Sequence, residues 1–379
     1  MKKILIFSFA YLPSVGGAEL AVREITERIS DFQFDMITRN FGYKNFERLG
    51  NINVYRVNCL KLFFPFVAFF KAYRLNKKNK YDAIWSIMAN RAGFAALFFK
   101  LFYPKIPFLL TLQEGDDLDY PKKRMGIFWP FLKPLFRMIF KKADKIQAIS
   151  NYLKKWAEDM GAKSNIEIVP NGVDLEKFQI SDSEVSSYFR SQIGFKSPDD
   201  KLLVTASRLV KKNAVKDIIE ALKFLPENIK LLILGDGPER DNLKSKIKNL
   251  KLDNRVVFLG HIDHKDLPYY LKISDVFVRP SLTEGLGTAF LEAMAVGIPI
   301  IATPVGGIPD FLRDRETGLF CNVNDPQSIA EKVKILLEDE KLRNKIINQA
   351  KDMVSLEYNW NNIAKKMKSI FEEILGQNI

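Results

Sequence analysis

Short apolar runs that end in turns alternate with amphipathic stretches along the whole chain. The run KKILIFSFA predicts a buried strand, LAVREITERIS has apolar residues at helical spacing, and FQFDMITR predicts the next strand. A strand, a glycine-containing turn and a helix in this order are typical of the start of a doubly wound α/β domain. Further strands of this first series are predicted at YDAIWSI, PFLLTL, KIQAIS and NIEIVPNGVD.

A second series of the same kind begins near residue 201. The polar stretch that precedes it carries little strand signal, and we place the linker near the start of that stretch. The pattern predicts two Rossmann-like domains, residues 1–172 and 173–360, with a last helix at about 361–379 that packs back on the first domain. The strands of the second series are predicted at KLLVTASRL, IKLLILGDGP, RVVFLG, DVFVRPS and IPIIATPVGG.

Length and composition agree with two folded domains in a reducing compartment. The chain has 379 residues, of which 47% are hydrophobic, and this is enough for two cores. Its two cysteines, Cys59 and Cys321, are far apart, which favours neither a disulfide framework nor a zinc site. No apolar run approaches the roughly 20 residues that span a bilayer. The N-terminal run is interpreted as a strand, with a signal peptide as the alternative.

The net charge of +13 lies entirely in the first predicted domain. Residues 1–172 contain 28 Lys and Arg against 15 Asp and Glu, whereas residues 173–379 contain 30 of each. Such asymmetry predicts that the first domain faces an anionic partner. Nucleic acid is disfavoured as that partner, because no recognised binding motif accompanies the charge.

Two stretches of the first domain combine phenylalanine with lysine and arginine, LKLFFPFVAFFKAYRLNKKNK and KKRMGIFWPFLKPLFRMIFKKADK. Two interpretations stay open. An amphipathic helix with an aromatic and a cationic side can lie on an anionic membrane surface. Alternatively, the phenylalanines form the core of the domain and the lysines its solvated face. The charge asymmetry favours contact with a membrane.

The most specific segment follows the predicted strand DVFVRPS. The strand ends in a loop that contains Gly285 and Gly287, and a helix is predicted to begin near Thr288. The backbone amides of Leu286, Gly287 and Thr288 would then be free at a helix N-terminus. Free amides together with the helix dipole make an anion site that suits a diphosphate.

Two glutamates bracket this predicted anion site. Carboxylates repel phosphate, but Glu284 and Glu292 are suited to accept hydrogen bonds from sugar hydroxyls on either side of it. The alternative is that Glu284 caps the helix and that Glu292 lies on a solvated face. The flanking glycines and the apolar residues around Glu292 argue against that alternative.

The segment from Glu284 to Glu292 resembles the E-x7-E region of the retaining glycosyltransferases of family 4. These enzymes have the GT-B fold, an α/β fold with two Rossmann-like, doubly wound domains that face each other across a cleft. The resemblance covers nearly the whole chain, because five further motifs occur in the expected order. These motifs are GGAE at Gly16–Glu19, VPNGVD at Val169–Asp174, SRLV at Ser207–Val210, GDGP at Gly235–Pro238 and FLG at Phe258–Gly260.

The resemblance implies a role for each matching residue of the donor site. Glu284 would bind hydroxyls of the transferred sugar, and Glu292 would bind the ribose. The backbone of Gly285, Leu286, Gly287 and Thr288 would hold phosphate and sugar. Arg208 and a nearby lysine would clamp the diphosphate and neutralise the charge that develops on the leaving group.

The lysine departs from the usual pattern of the family. The family most often has Lys-Gly five and six residues after the arginine, where this chain has Asn213 and Ala214. Lys212 is the best substitute, and Lys211 is the next. Four glycines also match the family. By the resemblance, Gly16 and Gly17 let the first domain approach the donor, and Gly235 and Gly237 either approach the nucleotide or form a plain turn.

One departure from the family concerns the acceptor side. Many relatives carry a histidine after the strand that corresponds to PFLLTL, but the two histidines here, His261 and His264, lie in the second domain and are interpreted as surface or supporting residues. The matching place offers four polar candidates, of which Glu114 is counted as catalytic. An acidic residue there could bind acceptor hydroxyls or assist proton removal, or merely cap a turn. The candidates are Gln113, Glu114, Asp116 and Asp117.

These features predict a retaining glycosyltransferase that moves a hexose-type sugar from a nucleoside-diphosphate sugar to a saccharide or lipid-linked acceptor, in cell-surface polysaccharide or glycolipid synthesis. The resemblance implies no metal ion and no cofactor. It also implies that the acceptor hydroxyl attacks the face from which the nucleotide leaves. The expected location is the cytoplasm, at the inner face of the membrane. The alternatives are an epimerase or phosphorylase on the same fold and a non-catalytic nucleotide-binding subunit.

Overall fold

The computed structural model describes residues 1–13, 16–116, 118–119, 122–123, 126–180, 193–194, 197 and 199–376. The chain divides into two compact units. The first unit is Met1–Asn171 with Trp360–Ile379, and the second is Gly172–Asn359. The sequence placed the corresponding boundaries after residues 172 and 360.

The first unit alternates strands and helices. Its strands are β1 (Lys2–Phe7), β2 (Phe32–Arg39), β3 (Phe46–Leu49), β4 (Ile52–Val57), β5 (Ala83–Ile87), β6 (Phe108–Leu112), β7 (Lys145–Ala148) and β8 (Ile166–Ile168). The helices that follow them are α1 (Gly17–Arg28), α2 (Phe64–Asn79), α3 (Arg91–Phe102), α4 (Trp129–Lys142) and α5 (Asn151–Asp159). The apolar runs of the sequence therefore mark real strands, and FQFDMITR matches β2 from end to end.

In the described part of this unit, eight strands form one sheet in the order β3-β4-β2-β1-β5-β6-β7-β8. Neighbouring strands run parallel except for β3 and β4, which form an antiparallel pair. The sequence did not predict these two strands. β3 alternates between exposed and half-buried residues at the sheet edge, so it shows no continuous apolar run.

The second unit repeats the pattern. Its strands are β9 (Lys201–Ala206), β10 (Ile229–Leu234), β11 (Val256–Gly260), β12 (Val276–Arg279), β13 (Ile300–Ala302) and β14 (Leu319–Phe320). Its helices are α6 (Leu175–Phe178), α7 (Val215–Ala221), α8 (Arg240–Asn249), α9 (Leu267–Lys272), α10 (Thr288–Val296), α11 (Pro326–Glu338) and α12 (Glu340–Glu357). Within the described residues the six strands form a parallel sheet in the order β11-β10-β9-β12-β13-β14. The prediction of two Rossmann-like α/β halves is confirmed.

The last helix, α13 (Trp360–Gly376), belongs to the first unit. Phe371 of this helix packs against Phe34 and Trp85 on one face of the sheet, with ring centroids 6.0 and 5.2 Å apart. On the other face, Phe7 of β1 packs against Phe99 of α3 at 6.0 Å. Helices therefore cover both faces, which explains why the central strand β1 is an almost unbroken apolar run.

The two aromatic and basic stretches of the first unit contain both buried and solvent-exposed phenylalanines. Phe64 of α2 and Phe136 of α4 are buried, whereas Phe70 of α2 and Phe131 of α4 are largely exposed. Neither open interpretation describes these stretches alone, because each helix contributes to the core and also presents aromatic side chains to solvent. No helix in the described residues is long and apolar enough to cross a bilayer.

Candidate active site

Loops that follow β9, β10 and β12 meet at the carboxyl edge of the second sheet. The amide of Leu209 donates to the carbonyl oxygen of Asp236 at 3.0 Å, which joins the first two loops. The amide of Leu282 donates to the carbonyl oxygen of Lys212 at 2.7 Å, which joins the first loop to the third. The structure therefore brings the segment of Arg208 beside the loop that carries Glu284. In doubly wound folds, ligands bind outside the carboxyl ends of the strands.

Helix α10 begins at Thr288, as the sequence predicted. Its N-cap residue is Gly287 in a left-handed conformation with φ of 88°, and no side chain among the described residues caps the helix. A Cβ atom on Gly287 would lie 2.7 Å from the ring of Phe290, so glycine is also needed for space. The alternative that Glu284 caps this helix is wrong. An uncapped N-terminus leaves amides that can bind an anion.

Glu284 is buried, and its carboxylate is held on both oxygens. Oε2 forms an ion pair with the guanidinium of Arg279, and Oε1 accepts a hydrogen bond of 3.2 Å from the amide of Gly285. The backbone carbonyl oxygen of Glu284 accepts a further bond of 3.0 Å from the amide of Gly307. The carboxylate is thus fixed in position before any ligand binds, a form of preorganisation.

Arg279 is a site residue that the sequence reasoning missed. It ends β12, is buried, and lies with its guanidinium 4.5 Å from the centre of the Phe290 ring. Its Nε also donates to the hydroxyl of Ser281 at 3.2 Å. The one signal in the sequence is a charged residue that closes the apolar strand VFVR. This cation compensates the buried charge of Glu284.

Gly306 is a second residue that the sequence reasoning missed. Its φ of +58° lies in the left-handed region, and a Cβ atom there would lie only 1.9 Å from the carbonyl oxygen of Glu284. The loop after β13 can therefore approach the Glu284 backbone only with glycine at this position. This close approach permits the hydrogen bond from Gly307.

Glu292 is buried within α10, so its interpretation as a solvated residue is wrong. Its Oε1 lies 2.9 Å from Nε2 of His264. The ring of His264 in turn packs edge-on against the ring of Phe178, with centroids 5.2 Å apart. His264 therefore contacts a predicted donor-site residue although it is itself exposed, as His261 is.

Arg208 is exposed, and its side chain makes no hydrogen bond or ion pair with any residue that the structure describes. Its carbonyl oxygen accepts a bond of 2.7 Å from the amide group of Asn213. Asn213 is buried at the position where relatives carry lysine, so it shapes the loop here. Ala214 has a φ of 48°, a left-handed conformation that favours glycine, and this explains why the family most often has glycine at this position. Lys212 is half-buried beside them.

The glycines of the loop after β10 have a packing role. A Cβ atom on Gly235, which has a φ of +134°, would lie 1.9 Å from the carbonyl oxygen of Ser207. A Cβ atom on Gly237 would lie 2.4 Å from the carbonyl oxygen of Leu209. Both glycines therefore let this loop pack against the backbone on either side of Arg208, a reason that involves no ligand.

In the first unit, Gly16 and Gly17 lie at the start of α1. Gly16 is the N-cap, and Gly17 is the first helical residue. A Cβ atom on Gly16 would lie 2.5 Å from the carboxyl group of Glu19. Burial raises the pKa of Glu19, while the amides of Glu19 and Gly16 oppose that rise. The helix start thus already has a carboxyl group of the protein beside it.

The four acceptor-side candidates differ in their environments. Gln113 is buried and accepts a bond of 3.2 Å from the side chain of Asn171. Glu114 Oε1 accepts a bond of 2.6 Å from the amide of Ala89. Asp116 is exposed, and Asp117 lies outside the described residues. Gln113 and Glu114 are adjacent in the sequence, but they accept hydrogen bonds from different residues.

Burial raises the pKa of the Glu114 carboxyl from 4.5 to about 7. The backbone amides of Ala89, Glu114 and Gln113 oppose this rise, and the carboxylate of Asp116 adds to it. Oε2 of Glu114 is buried and has no hydrogen-bond partner among the described residues. A carboxyl group that titrates near neutrality with one unused oxygen is typical of functional sites. The described residues contain no cluster of three or more His, Cys, Asp or Glu that could hold a metal ion.

Two family profiles and several known proteins are similar to this chain. The profile of the Glycosyltransferase Family 4 matches residues 15–177, and that of Glycosyl transferases group 1 matches residues 189–353. An uncharacterized glycosyltransferase of Methanocaldococcus jannaschii is 28% identical over 402 aligned residues, which cover 99% of each chain. The N-acetyl-alpha-D-glucosaminyl L-malate synthase of Bacillus anthracis is 31% identical over 65% of this chain and 64% of its own.

A further relative and a solved structure are also similar to this chain. The alpha-monoglucosyldiacylglycerol synthase of Streptococcus pneumoniae is 25% identical over 79% of this chain and 70% of its own. The Anabaena protein HepE, solved in complex with UDP-glucose, superposes with a TM-score of 0.83 at 22% identity. That superposition covers 98% of this chain and all of HepE, and it shows that the fold is shared.

Proposed function

The chain belongs to the glycosyltransferases of group 1 and family 4, with the GT-B fold, and on that premise we propose that it is a retaining enzyme. It moves a hexose-type sugar from a nucleoside-diphosphate sugar to a saccharide or lipid-linked acceptor. The observation that carries this proposal is the pair of buried carboxylates, Glu284 and Glu292, on either side of the uncapped N-terminus of α10. HepE, with the same fold, was solved with UDP-glucose, which supports a nucleotide-sugar donor.

In this proposal the donor lies along the carboxyl edge of the second sheet. The amides of Leu286, Gly287 and Thr288 bind its phosphates, and Arg208 and Lys212 add positive charge. Glu284, held by Arg279, accepts hydrogen bonds from the sugar hydroxyls, and Glu292 does the same for the ribose. A fixed carboxylate gives up little side-chain freedom when the sugar binds.

The proposed reaction depends on how the site stabilises the negative charge that develops on the leaving diphosphate. As the glycosidic bond breaks, negative charge grows on the diphosphate, where the helix N-terminus and the cations Arg208 and Lys212 stabilise it. The acceptor hydroxyl attacks from the same face, and a phosphate oxygen of the leaving group takes its proton. Because these groups supply the positive charge, we expect activity without a metal ion, and chelation with EDTA tests that expectation.

The acceptor side is proposed to be the first unit. It carries the positive charge of the chain, exposed aromatic side chains such as Phe70 and Phe131, and the carboxyl group of Glu114. A relative named as a diacylglycerol glycolipid synthase supports an acceptor that is a lipid or is attached to one. We therefore propose a cytoplasmic enzyme that contacts the inner face of the membrane in polysaccharide or glycolipid synthesis.

A panel of nucleotide sugars tests the donor site. At 100 times its Kd, a bound donor adds about 2.7 kcal/mol of stability, which a thermal-shift assay detects. Glu284→Gln should lower acceptor-dependent release of nucleoside diphosphate by about 100- to 1,000-fold, on the order of other groups that act in the transition state. Glu316→Gln is the control, because Glu316 is exposed in the same unit.

The remaining outcomes separate the alternatives. Product formed from the donor alone would indicate an epimerase, and dependence on inorganic phosphate would indicate a phosphorylase. Donor binding without turnover against any acceptor fraction would indicate a non-catalytic subunit. The absence of a thermal shift with every nucleotide sugar would contradict the proposed donor site.

A further inference from the structure

The first unit encloses a cavity of about 610 Å³ that none of the matched motifs accounts for. Its walls are mainly apolar side chains from several helices, among them Phe66 of α2, Phe94 and Phe98 of α3, Leu132 of α4 and Trp156 of α5. A volume of roughly 300–1,000 Å³ is typical of sites that enclose a small-molecule ligand. The cavity is thus large enough for a ligand and chemically suited to an apolar one.

Two buried polar atoms of residues that line this cavity have no hydrogen-bond partner among the described residues. One is Oε2 of Glu114, and the other is Nε1 of Trp156. Nε1 of Trp156 can only donate a hydrogen bond, and an ionised carboxylate can only accept one. Other buried polar atoms of the described residues also lack a partner, but only these two belong to residues of this lining. An unpaired donor and an unpaired acceptor in one lining point to a ligand that carries a hydroxyl.

The residues at the rim of the cavity are also unusual for a protein surface. Leu62, Phe66 and Phe128 line the cavity, yet 74%, 52% and 65% of their surfaces are exposed to solvent. Adjacent large apolar side chains that remain exposed mark a site where another molecule binds. The cation Arg91 lies in the same lining, within a unit that has excess positive charge.

We propose that this cavity binds the apolar chain of a lipid acceptor, with a hydroxyl of the lipid beside Glu114 and Trp156. This inference rests on the proposed function and names the class of acceptor. A saccharide alone is disfavoured, because most of the lining offers no hydrogen bonds to its hydroxyls. A flat protein surface is disfavoured as well, because the two unpaired atoms are buried, where a narrow chain reaches them more easily than a broad surface.

The test compares two probes that share a head group. The binding of n-decyl β-D-glucopyranoside, kept below its micelle concentration, and of methyl β-D-glucopyranoside is measured by calorimetry on the whole protein. We expect the decyl compound to bind at least tenfold more tightly. Equal affinity for the two probes would overturn the proposal, because the chain would then contribute nothing.

A matched pair of variants on one helix separates the cavity from the aromatic surface in general. Phe66 and Phe70 lie one turn apart on α2, and they are 52% and 60% exposed, but only Phe66 lines the cavity. Phe66→Asp should weaken decyl glucoside binding at least tenfold, whereas Phe70→Asp should change it less than twofold. Equal losses in both variants would indicate adsorption to exposed aromatics and would overturn the proposal.

A third variant tests whether Oε2 of Glu114 contributes to binding. Glu114→Gln keeps the size of the side chain but removes its charge, so we expect decyl glucoside to bind about three- to tenfold more weakly at pH 8. An unchanged affinity would remove Glu114 from the proposed site.

Donor binding on the same samples separates this proposal from the proposed function. Phe66→Asp should leave the thermal shift with a nucleotide sugar unchanged, since the predicted donor residues of α10 lie in the second unit. A loss of donor binding in Phe66→Asp would show a global defect and count against the cavity. If the wild-type protein binds no nucleotide sugar, the proposed function fails, but the chain-length comparison still decides whether the cavity binds lipid.

Discussion

The carboxyl groups of the two candidate sites have different partners. In the second unit, Glu284 is paired with Arg279, and Glu292 is in contact with His264. In the first unit, Glu114 has one oxygen bonded to the amide of Ala89 and one oxygen without a partner among the described residues. The first arrangement is complete before a ligand arrives, whereas the second still needs a hydrogen-bond donor.

This difference separates two ways of recognising a substrate. Sugar hydroxyls and phosphates are bound by polar groups that must be held at fixed distances. The loops of the second unit are packed so closely that Gly235 has no room for a side chain beside Ser207, nor Gly306 beside Glu284. An apolar chain needs volume more than it needs fixed directions, and the cavity of the first unit provides volume. Variants in each unit test this contrast.

The largest effect is expected when the ion pair of the second unit is broken. Glu284→Ala leaves the buried cation of Arg279 without its partner, which should lower the free energy of unfolding by about 3–5 kcal/mol. The double variant Glu284→Ala with Arg279→Met should recover part of that loss, because no unpaired charge remains. Urea denaturation of the single and double variants measures the coupling. Simple additivity would show that the pair is not a unit.

The next effect concerns the close packing around the same carboxylate. Gly306→Ala adds a Cβ atom 1.9 Å from the carbonyl oxygen of Glu284, and we expect it to cost about 2–4 kcal/mol of unfolding free energy. Gly42→Ala is the matched control, since Gly42 also has a positive φ but has open space around it. It should cost only about 1 kcal/mol from backbone strain. Similar costs in the two variants would refute the packing role.

The carboxyl group of Glu114 should make the free energy of unfolding depend on pH. Because its pKa rises from 4.5 to about 7 on folding, the native state binds the proton more tightly than the unfolded chain. The stabilisation is fully present below about pH 4.5 and is lost as the pH rises through 7, with a total of up to about 3 kcal/mol. The groups that act on Glu114 are the carboxylate of Asp116 and the backbone amides of Ala89, Glu114 and Gln113.

Glu114→Gln should therefore flatten the curve of unfolding free energy against pH, measured in urea from about pH 4 to pH 9. Glu158→Gln, at an exposed position of the same unit, should keep the slope of the wild-type protein. A slope that survives in Glu114→Gln would mean that another group causes it.

The smallest effect is expected at the contact between His264 and Glu292. His264→Ala removes a hydrogen bond to a predicted ribose-binding carboxylate, which should raise the Kd for the nucleotide sugar about three- to tenfold. His261→Ala is the control, because His261 is likewise exposed, and it should change the Kd less than twofold. Calorimetry with both variants tests the contact. An unchanged Kd in His264→Ala would show that Glu292 needs no support.

The sequence predicted the architecture well because buried parallel strands are continuous apolar runs. It predicted the start of α10 at Thr288 and the placement of Glu284 and Glu292 around that start, since these depend on local spacing. It missed the hairpin of β3 and β4, whose edge residues alternate in exposure. Local patterns therefore carried the fold and the donor loop.

The contacts that complete the site lie beyond any local pattern. The pairing of His264 with Glu292 joins residues 28 positions apart, and the approach of Gly306 to Glu284 depends on the register of β12 and β13. Arg279 resembles any cation at the end of a strand until the turn that follows brings Glu284 back to it. The cavity draws its lining from Leu62 to Trp156. Sequence spacing alone does not bring such residues together.

Hydrogen–deuterium exchange with and without a saturating nucleotide sugar, with UDP-glucose as the first probe, tests the central claim most directly. We predict slower exchange of the amides from Leu286 to Ala289 and of the loop from Ser207 to Asn213. Peptides that line the cavity, from residues 88 to 98, should respond to decyl glucoside instead. A bound donor that leaves the amides of residues 286–289 unprotected would contradict the account.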